Sequence, residues 1–171
     1  MIISKHLLLI LISVFLLFGC QSARDEFYNN GVDFGDSGKF HQAISSYTKA
    51  IEIDPEFFKA YYNRGTMNLI LSEYDKAIED FNKAIVLQPE CAECYLNLGT
   101  AFNRSKNYSQ SVTEYTKALE LNQNLWIAYM NRGRSYYRLE KYELALLDYN
   151  KAIEINPDND TVKLWKSEIT D

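Results

Sequence analysis

Apolar positions recur at three-to-four spacing along most of the chain, in short blocks separated by polar turns. In residues 58–71, Tyr61, Gly65 and Asn68 or Leu69 fall on one face, and in residues 74–87 Ala77, Ile78, Phe81, Ala84 and Ile85 do the same. That periodicity predicts two amphipathic helices. Leu71-Ser72-Glu73-Tyr74 forms the short turn between them. Pro89 follows the second block and cannot continue a helix, because it lacks an N–H and clashes with the preceding turn. The first twenty residues differ: Leu7 to Phe18 is an apolar run broken only by Ser13.

The helix pair repeats every 34 residues. Gly31, Gly65, Gly99 and Gly133 share this spacing, as do Ala50, Ala84, Ala118 and Ala152, and Asn29, Asn63, Asn97 and Asn131. Three further columns keep one residue class: Phe27, Tyr61, Tyr95, Tyr129; Tyr47, Phe81, Tyr115, Tyr149; and Ala43, Ala77, Ser111, Ala145. All three prolines, Pro55, Pro89 and Pro157, fall in a single column. The small residues let paired helices approach closely, and the aromatics are expected to fill the gap to the neighbouring unit. One pair cannot bury its own apolar face, whereas a stack can.

These columns resemble the tetratricopeptide repeat, with its aromatic, Gly, Ala, aromatic, Ala and Pro positions at this period. The resemblance covers 24–57, 58–91, 92–125 and 126–159. It implies an all-α, right-handed α-solenoid of four helix-turn-helix repeats. Ser111 departs from the Ala column, and Gln123 stands where Pro is expected, predicting a softer junction between repeats three and four. Residues 160–171 carry Val162, Trp165 and Ile169 at near-helical spacing and read as a short capping helix over the open end, which solenoids need for solubility.

Residues 1–19 have the layout of a secretory signal, with Lys5 ahead of an apolar run shorter than the ~20 residues a membrane span takes. Leu17-Phe18-Gly19-Cys20 resembles the lipobox of bacterial lipoproteins, which implies acylation of Cys20 and its exposure as the new N-terminus. Phe18 departs from the small residue usual at its position. An uncleaved anchor helix over Ile2 to Phe18 is the alternative. Either arrangement puts the protein outside the cytoplasm against a bacterial membrane, and Gln21, unlike an Asp, favours the outer membrane where there are two. Residues 20–23 would then be a short lipidated tether.

The formal net charge is −5, and Lys5 is the only formally charged residue before Cys20. An acidic mature chain has no general attraction for nucleic acid. With 47% hydrophobic residues the chain is also no candidate for disorder.

By position, the resemblance implies a groove lined by the first helix of each pair. It presents Tyr28, Tyr62, Leu96 and Met130, then Val32, Thr66, Thr100 and Arg134, then Leu69, Asn103, Tyr137 and Arg138. Asn29, Asn63, Asn97 and Asn131 lie at its edge, where a carboxamide could bond a partner's backbone or, alternatively, the neighbouring repeat. Asp25 and Asp36 make the first repeat acidic, whereas Arg104, Arg134 and Arg138 make the third and fourth basic. Arg pairs well with carboxylates, so an acidic extended segment or helix is the expected partner there. The basic clamp with which some family members hold acidic chaperone tails is absent: Tyr28, Glu93 and Asn97, or Tyr62, Ile127 and Asn131, stand in its place.

Cys91 and Cys94 form a C-x-x-C pair between repeats two and three. It reads as a structural disulfide pinning that junction, with free thiols, a redox pair and half a metal site as alternatives. No second ligand pair accompanies it, and His41, placed in the turn of repeat one, is the only His after Cys20. No cofactor, metal or catalytic constellation is expected. The leading expectation is a lipid-anchored, non-enzymatic adaptor for a protein partner at the cell envelope. A thiol redox helper and a self-associating homo-oligomeric lipoprotein are the alternatives.

Overall fold

A computed structural model describes residues 5–170, and side chains from residue 21 onward. The described residues form helices only: α1 (Lys5–Asp36), α2 (Phe40–Ile53), α3 (Phe58–Ile70), α4 (Tyr74–Leu87), α5 (Ala92–Arg104), α6 (Tyr108–Leu121), α7 (Trp126–Arg138), α8 (Tyr142–Ile155) and α9 (Asp160–Thr170). Each helix packs on the next, and the first helices of adjacent repeats also touch, α3 on α5 and α5 on α7. This is the right-handed α-solenoid expected. The Cys20 side chain and residues 1–4 and 171 lie outside the described residues.

Residues 20–23, expected as a tether ahead of repeat one, are helical turns within α1. Three helical residues rise only about 4.5 Å, less than half the reach of an extended link. Among the described residues no helix is long and apolar enough to cross a membrane.

The glycine column has a sharper cause than general closeness. A Cβ on Gly99 would lie 2.7 Å from Tyr115 Cδ1, and one on Gly133 would lie 2.7 Å from Tyr149 Cε1. The second-helix aromatic thus presses its ring onto the glycine of its own pair. The aromatic column was expected between units; Phe81 also serves there, clustering with Leu98 and Ala101 of repeat three.

The tight turns share one backbone geometry. Gly38 has φ 71°, and its counterparts Ser72, Lys106 and Glu140 have φ 63°, 67° and 59°. The N–H one residue on reaches back across six residues, as in Glu73 N to Asn68 O at 2.9 Å and Asn107 N to Phe102 O at 2.8 Å. That arrangement closes the helix C-terminus and needs one left-handed residue, the position glycine favours.

The junction lacking proline is not softened. α6 stops at Leu121, and Asn122 N–H bonds Ala118 O just as Asp54, Gln88 and Asn156 bond Ala50, Ala84 and Ala152. Asn122 Oδ1 also accepts from Asn124 N at 3.0 Å, turning the chain as Asp54 does with Glu56 N. The Asx side chain substitutes for the proline as chain breaker.

α9 caps the last repeat: Val162 is fully buried, and Trp165 and Ile169 pack on Ala145, Tyr149 and Ala152. Asn159 Oδ1 caps its first turn by accepting from Val162 N at 3.0 Å.

Candidate protein-binding groove

The expected groove residues lie on α1, α3, α5 and α7, and several are already engaged. Asn63 Nδ2 donates to the Tyr28 hydroxyl and Asn97 Nδ2 to the Tyr62 hydroxyl, both at 3.1 Å. These two asparagines hold the stack, so for them the alternative role is the correct one. Leu96 offers no hydroxyl, so Asn131 has no counterpart of this bond. Asn29 has no preceding repeat and is exposed.

Thr66 and Thr100 hydroxyls donate to Tyr62 O and Leu96 O of their own helices at 2.9 Å. Thr100 Oγ1 also accepts from the Tyr115 hydroxyl at 3.2 Å. Leu69 is buried in the core and does not line the groove. Asn103 Nδ2 donates to Ser135 Oγ at 2.8 Å, and Ser111 Oγ reaches the same oxygen at 2.8 Å, joining repeats three and four from inside. The Ser111 departure therefore has a structural use. Met130 and Tyr137 pack beside the Tyr149 cluster, and Tyr137 meets Tyr142 edge to face.

The three arginines are not equivalent. The Arg134 guanidinium lies 4.3 Å from the Trp165 ring centroid, a cation–π contact that ties it to α9. Arg104 and Arg138 are exposed and form no ion pair among the described residues. At the other end Asp25 is paired with Arg24 at 2.7 Å, and Arg24 also reaches Asp54 at 2.8 Å. Of the two acidic groove residues expected in repeat one, Asp36 is the one without an ion pair among the described residues.

Burial pushes the phenols of the second-helix column upward: Tyr47 and Tyr149 each to about 12, and Tyr115 further. Tyr62 is raised by burial too, held back by its Asn97 bond and pushed on by Glu93. All four stay neutral near pH 7, and the Tyr62 and Tyr115 hydroxyls are engaged in hydrogen bonds.

Cys91 and Cys94 are joined by a disulfide with Cα atoms 5.3 Å apart. It sits at the expected junction, joining the last residue of repeat two to the third of repeat three. Cys91 caps α5, its sulfur accepting from Cys94 N at 3.1 Å, so the link pins the first turn of a single helix. An opening of about 350 Å³ beside it is lined by Phe58, Tyr62, Glu90 and Glu93. A separate cleft of about 410 Å³ lies on the second-helix side, lined by His41, Thr48, Arg64 and Asp80. His41 is thus the second residue of α2, not a turn residue. Arg64 binds Asp80 at 2.7 Å and Thr48 at 3.0 Å, and Asn68 adds a 3.0 Å bond to Asp80. Arg132, Asp148 and Thr116 repeat the arrangement. Sequence reasoning missed this network; the signal was the 68-residue spacing of Arg64 from Arg132 and Asp80 from Asp148.

Tetratricopeptide repeat family models match residues 58–91 and 126–159, 92–125, and 33–68. No curated protein matches the chain significantly. Among solved structures, a crystal structure of MamA protein superposes with TM-score 0.80 at 23% identity, over 88% of this chain and 87% of that one. PilF from Pseudomonas aeruginosa gives TM-score 0.77 at 23% identity, over 88% and 69%. The first repeat domain of Spaghetti (RPAP3), bound to the HSP90 peptide SRMEEVD, gives 0.65 at 25% identity, over 66% and 90%. The columns of Gly, Ala, Asn and aromatic residues, the stacked helix pairs and these matched segments together place this chain in the tetratricopeptide repeat family, as a protein-interaction scaffold.

Proposed function

We propose that the chain is a lipid-anchored adaptor that holds a protein partner in the first-helix groove at a bacterial cell envelope. The observation carrying this is the pair Arg104 and Arg138, exposed on the groove helices and without ion partners among the described residues. They favour an acidic partner segment at repeats three and four, since guanidinium forks bind carboxylates in two-pronged fashion. The Spaghetti domain, bound to a peptide rich in Glu and Asp, supports an acidic segment as the kind of ligand such a fold accepts. Arg134 is left out of this role because Trp165 already covers it.

The lipid anchor rests on Leu17-Phe18-Gly19-Cys20 and the apolar run before it. Acylation of Cys20 with more than one chain makes attachment stable, where one chain alone holds marginally. The favoured location is extracytoplasmic, on the outer membrane where two membranes exist.

Crosslinking in cells, with identification of the attached protein, tests the adaptor. Arg104→Glu with Arg138→Glu should cut its capture at least tenfold, and Cys20→Ser should move the protein off the membrane. Undiminished capture by the charge-reversed form rejects the acidic-segment reading.

A thiol redox helper is the second reading, favoured by one observation: Cys91 caps α5 beside an open pocket while Cys94 is wholly buried. Replacing both with Ser abolishes function on that reading and leaves partner capture intact on the first.

A further inference from the structure

We propose that the pocket where repeats two and three meet receives one arginine side chain of the partner segment. The inference rests on the groove being a protein-binding surface and adds a cationic anchor to it.

Phe58 and Tyr62 stand one helical turn apart on α3, their rings stacked at 26° with centroids 6.2 Å apart. They pack against Cys91 and Cys94, whose disulfide stiffens the floor. Asn97 holds the Tyr62 oxygen from behind, which leaves the phenolic hydrogen free to donate. Glu90 and Glu93 flank Cys91 and are exposed. Neither makes an ion pair among the described residues, and neither does Lys59, the exposed lysine beside Phe58. Glu93 sits in the first turn of α5.

The chemistry of this opening is selective. An aromatic face attracts a cation, and two carboxylates at the rim attract it further. A partner carboxylate is repelled, and an apolar side chain would desolvate both glutamates without answering them. A guanidinium satisfies all three surfaces, because it is flat, always charged and carries donors in a fork.

The chain builds the same cage elsewhere and fills it with its own arginine. Arg24 lies 4.4 Å from the Phe57 ring centroid and bonds both Asp25 and Asp54. At the far end Arg134 covers Trp165 at 4.3 Å. Between these two filled aromatic sites, the Phe58–Tyr62 pocket has the ring face and the two carboxylates but no arginine. Arg104 and Arg138 lie in the repeats beyond it. The partner segment is thus read as charge-ordered: an arginine at the repeat two–three junction, then acidic residues along repeats three and four.

The test is a titration of the ¹⁵N-labelled full chain in detergent with N-acetyl-arginine amide, followed by NMR, with N-acetyl-norleucine amide as the apolar control. Saturable shifts are expected at the amides of Phe58, Tyr62, Glu93 and Cys94. Glu90→Gln with Glu93→Gln should weaken them at least tenfold, and the norleucine compound should produce none. Glu93→Gln alone, an isosteric change at an exposed site, is the companion variant should the double form not fold. Equal shifts with norleucine, unchanged affinity in the glutamine variants, or no saturable shift at these amides overturns the pocket. That failure is separate from failure of the groove: partner capture lost on reversing Arg104 and Arg138, with no arginine shift, keeps the groove and rejects the pocket.

Discussion

Asn97 donates its side-chain N–H to the hydroxyl of Tyr62, 35 residues earlier and one repeat behind, at 3.1 Å. Asn63 does the same to Tyr28. The groove edge is therefore laced by hydroxyl–carboxamide rungs, and the third rung is missing because Leu96 stands where the tyrosine would be.

Tyr62→Phe leaves the half-buried Asn97 amide without its acceptor, so unfolding free energy should fall by about 1 kcal/mol. A double-mutant cycle with Asn97→Ala should give a coupling of about 0.5–1.5 kcal/mol. Additive losses in urea unfolding would show the rung to be idle. Leu96→Tyr, which offers Asn131 a phenol, should instead stabilise.

Two glycine-to-alanine changes should have opposite signs. At Gly99 the new methyl meets the almost fully buried Tyr115 ring at 2.7 Å, and overpacking of this kind costs about 1–3 kcal/mol. At Gly35, within α1, the nearest atom is the flexible Met67 Sδ at 3.5 Å. There the gain is about 0.5–1 kcal/mol from helix propensity. Thermal unfolding of both variants decides the point; a destabilised Gly35→Ala contradicts it.

The left-handed turn residues are a reservoir of removable strain. Lys106→Gly should raise stability by about 0.5–1 kcal/mol, because a non-glycine residue at φ 67° is disfavoured. Gly38→Ala should lower it, since the same conformation is imposed there at φ 71°. Denaturant midpoints for the two variants should move in opposite directions.

Repeat three has Leu98 where repeats two and four have Arg64 and Arg132, so Glu114 lacks the cation its counterparts Asp80 and Asp148 hold. Burial alone raises its pKa above the ordinary 4.5. A carboxyl whose folded pKa is raised stabilises the fold while protonated, and that contribution is lost as pH rises through the folded value. Glu114→Gln should therefore be more stable than the parent chain at about pH 7, with the advantage shrinking toward about pH 4. A pH-independent difference would contradict the assignment.

The repeat frame was legible because side-chain size recurs at a fixed interval: only a small residue fits beneath Tyr115 or Tyr149. Roles that depend on partners from different columns were not. Asn97 was visible as one of four, but its bond depends on Tyr62, in a column interrupted at Leu96. Arg134 read as a free groove cation because nothing in its spacing reveals that α9 returns Trp165 over it. The Arg64–Asp80 pair escaped notice because the pattern skips a repeat. The helical character of residues 20–23 was hidden by Gly19 and Cys20, which look like a boundary in sequence yet leave α1 unbroken.

The missing rung at Leu96 means the junctions of the superhelix are fastened in different places. Repeats one to two and two to three are fastened at the lip of the groove, whereas three to four is fastened from within, through Asn103, Ser111 and Ser135, and on the second-helix side by Arg132 on Thr116. Opening the groove stretches a lip bond at the first two junctions and none of that kind at the third. At the third junction the lip between the helices carrying Arg104 and Arg138 is thus left without a rung, and a partner seated there has no lip bond of that kind to displace.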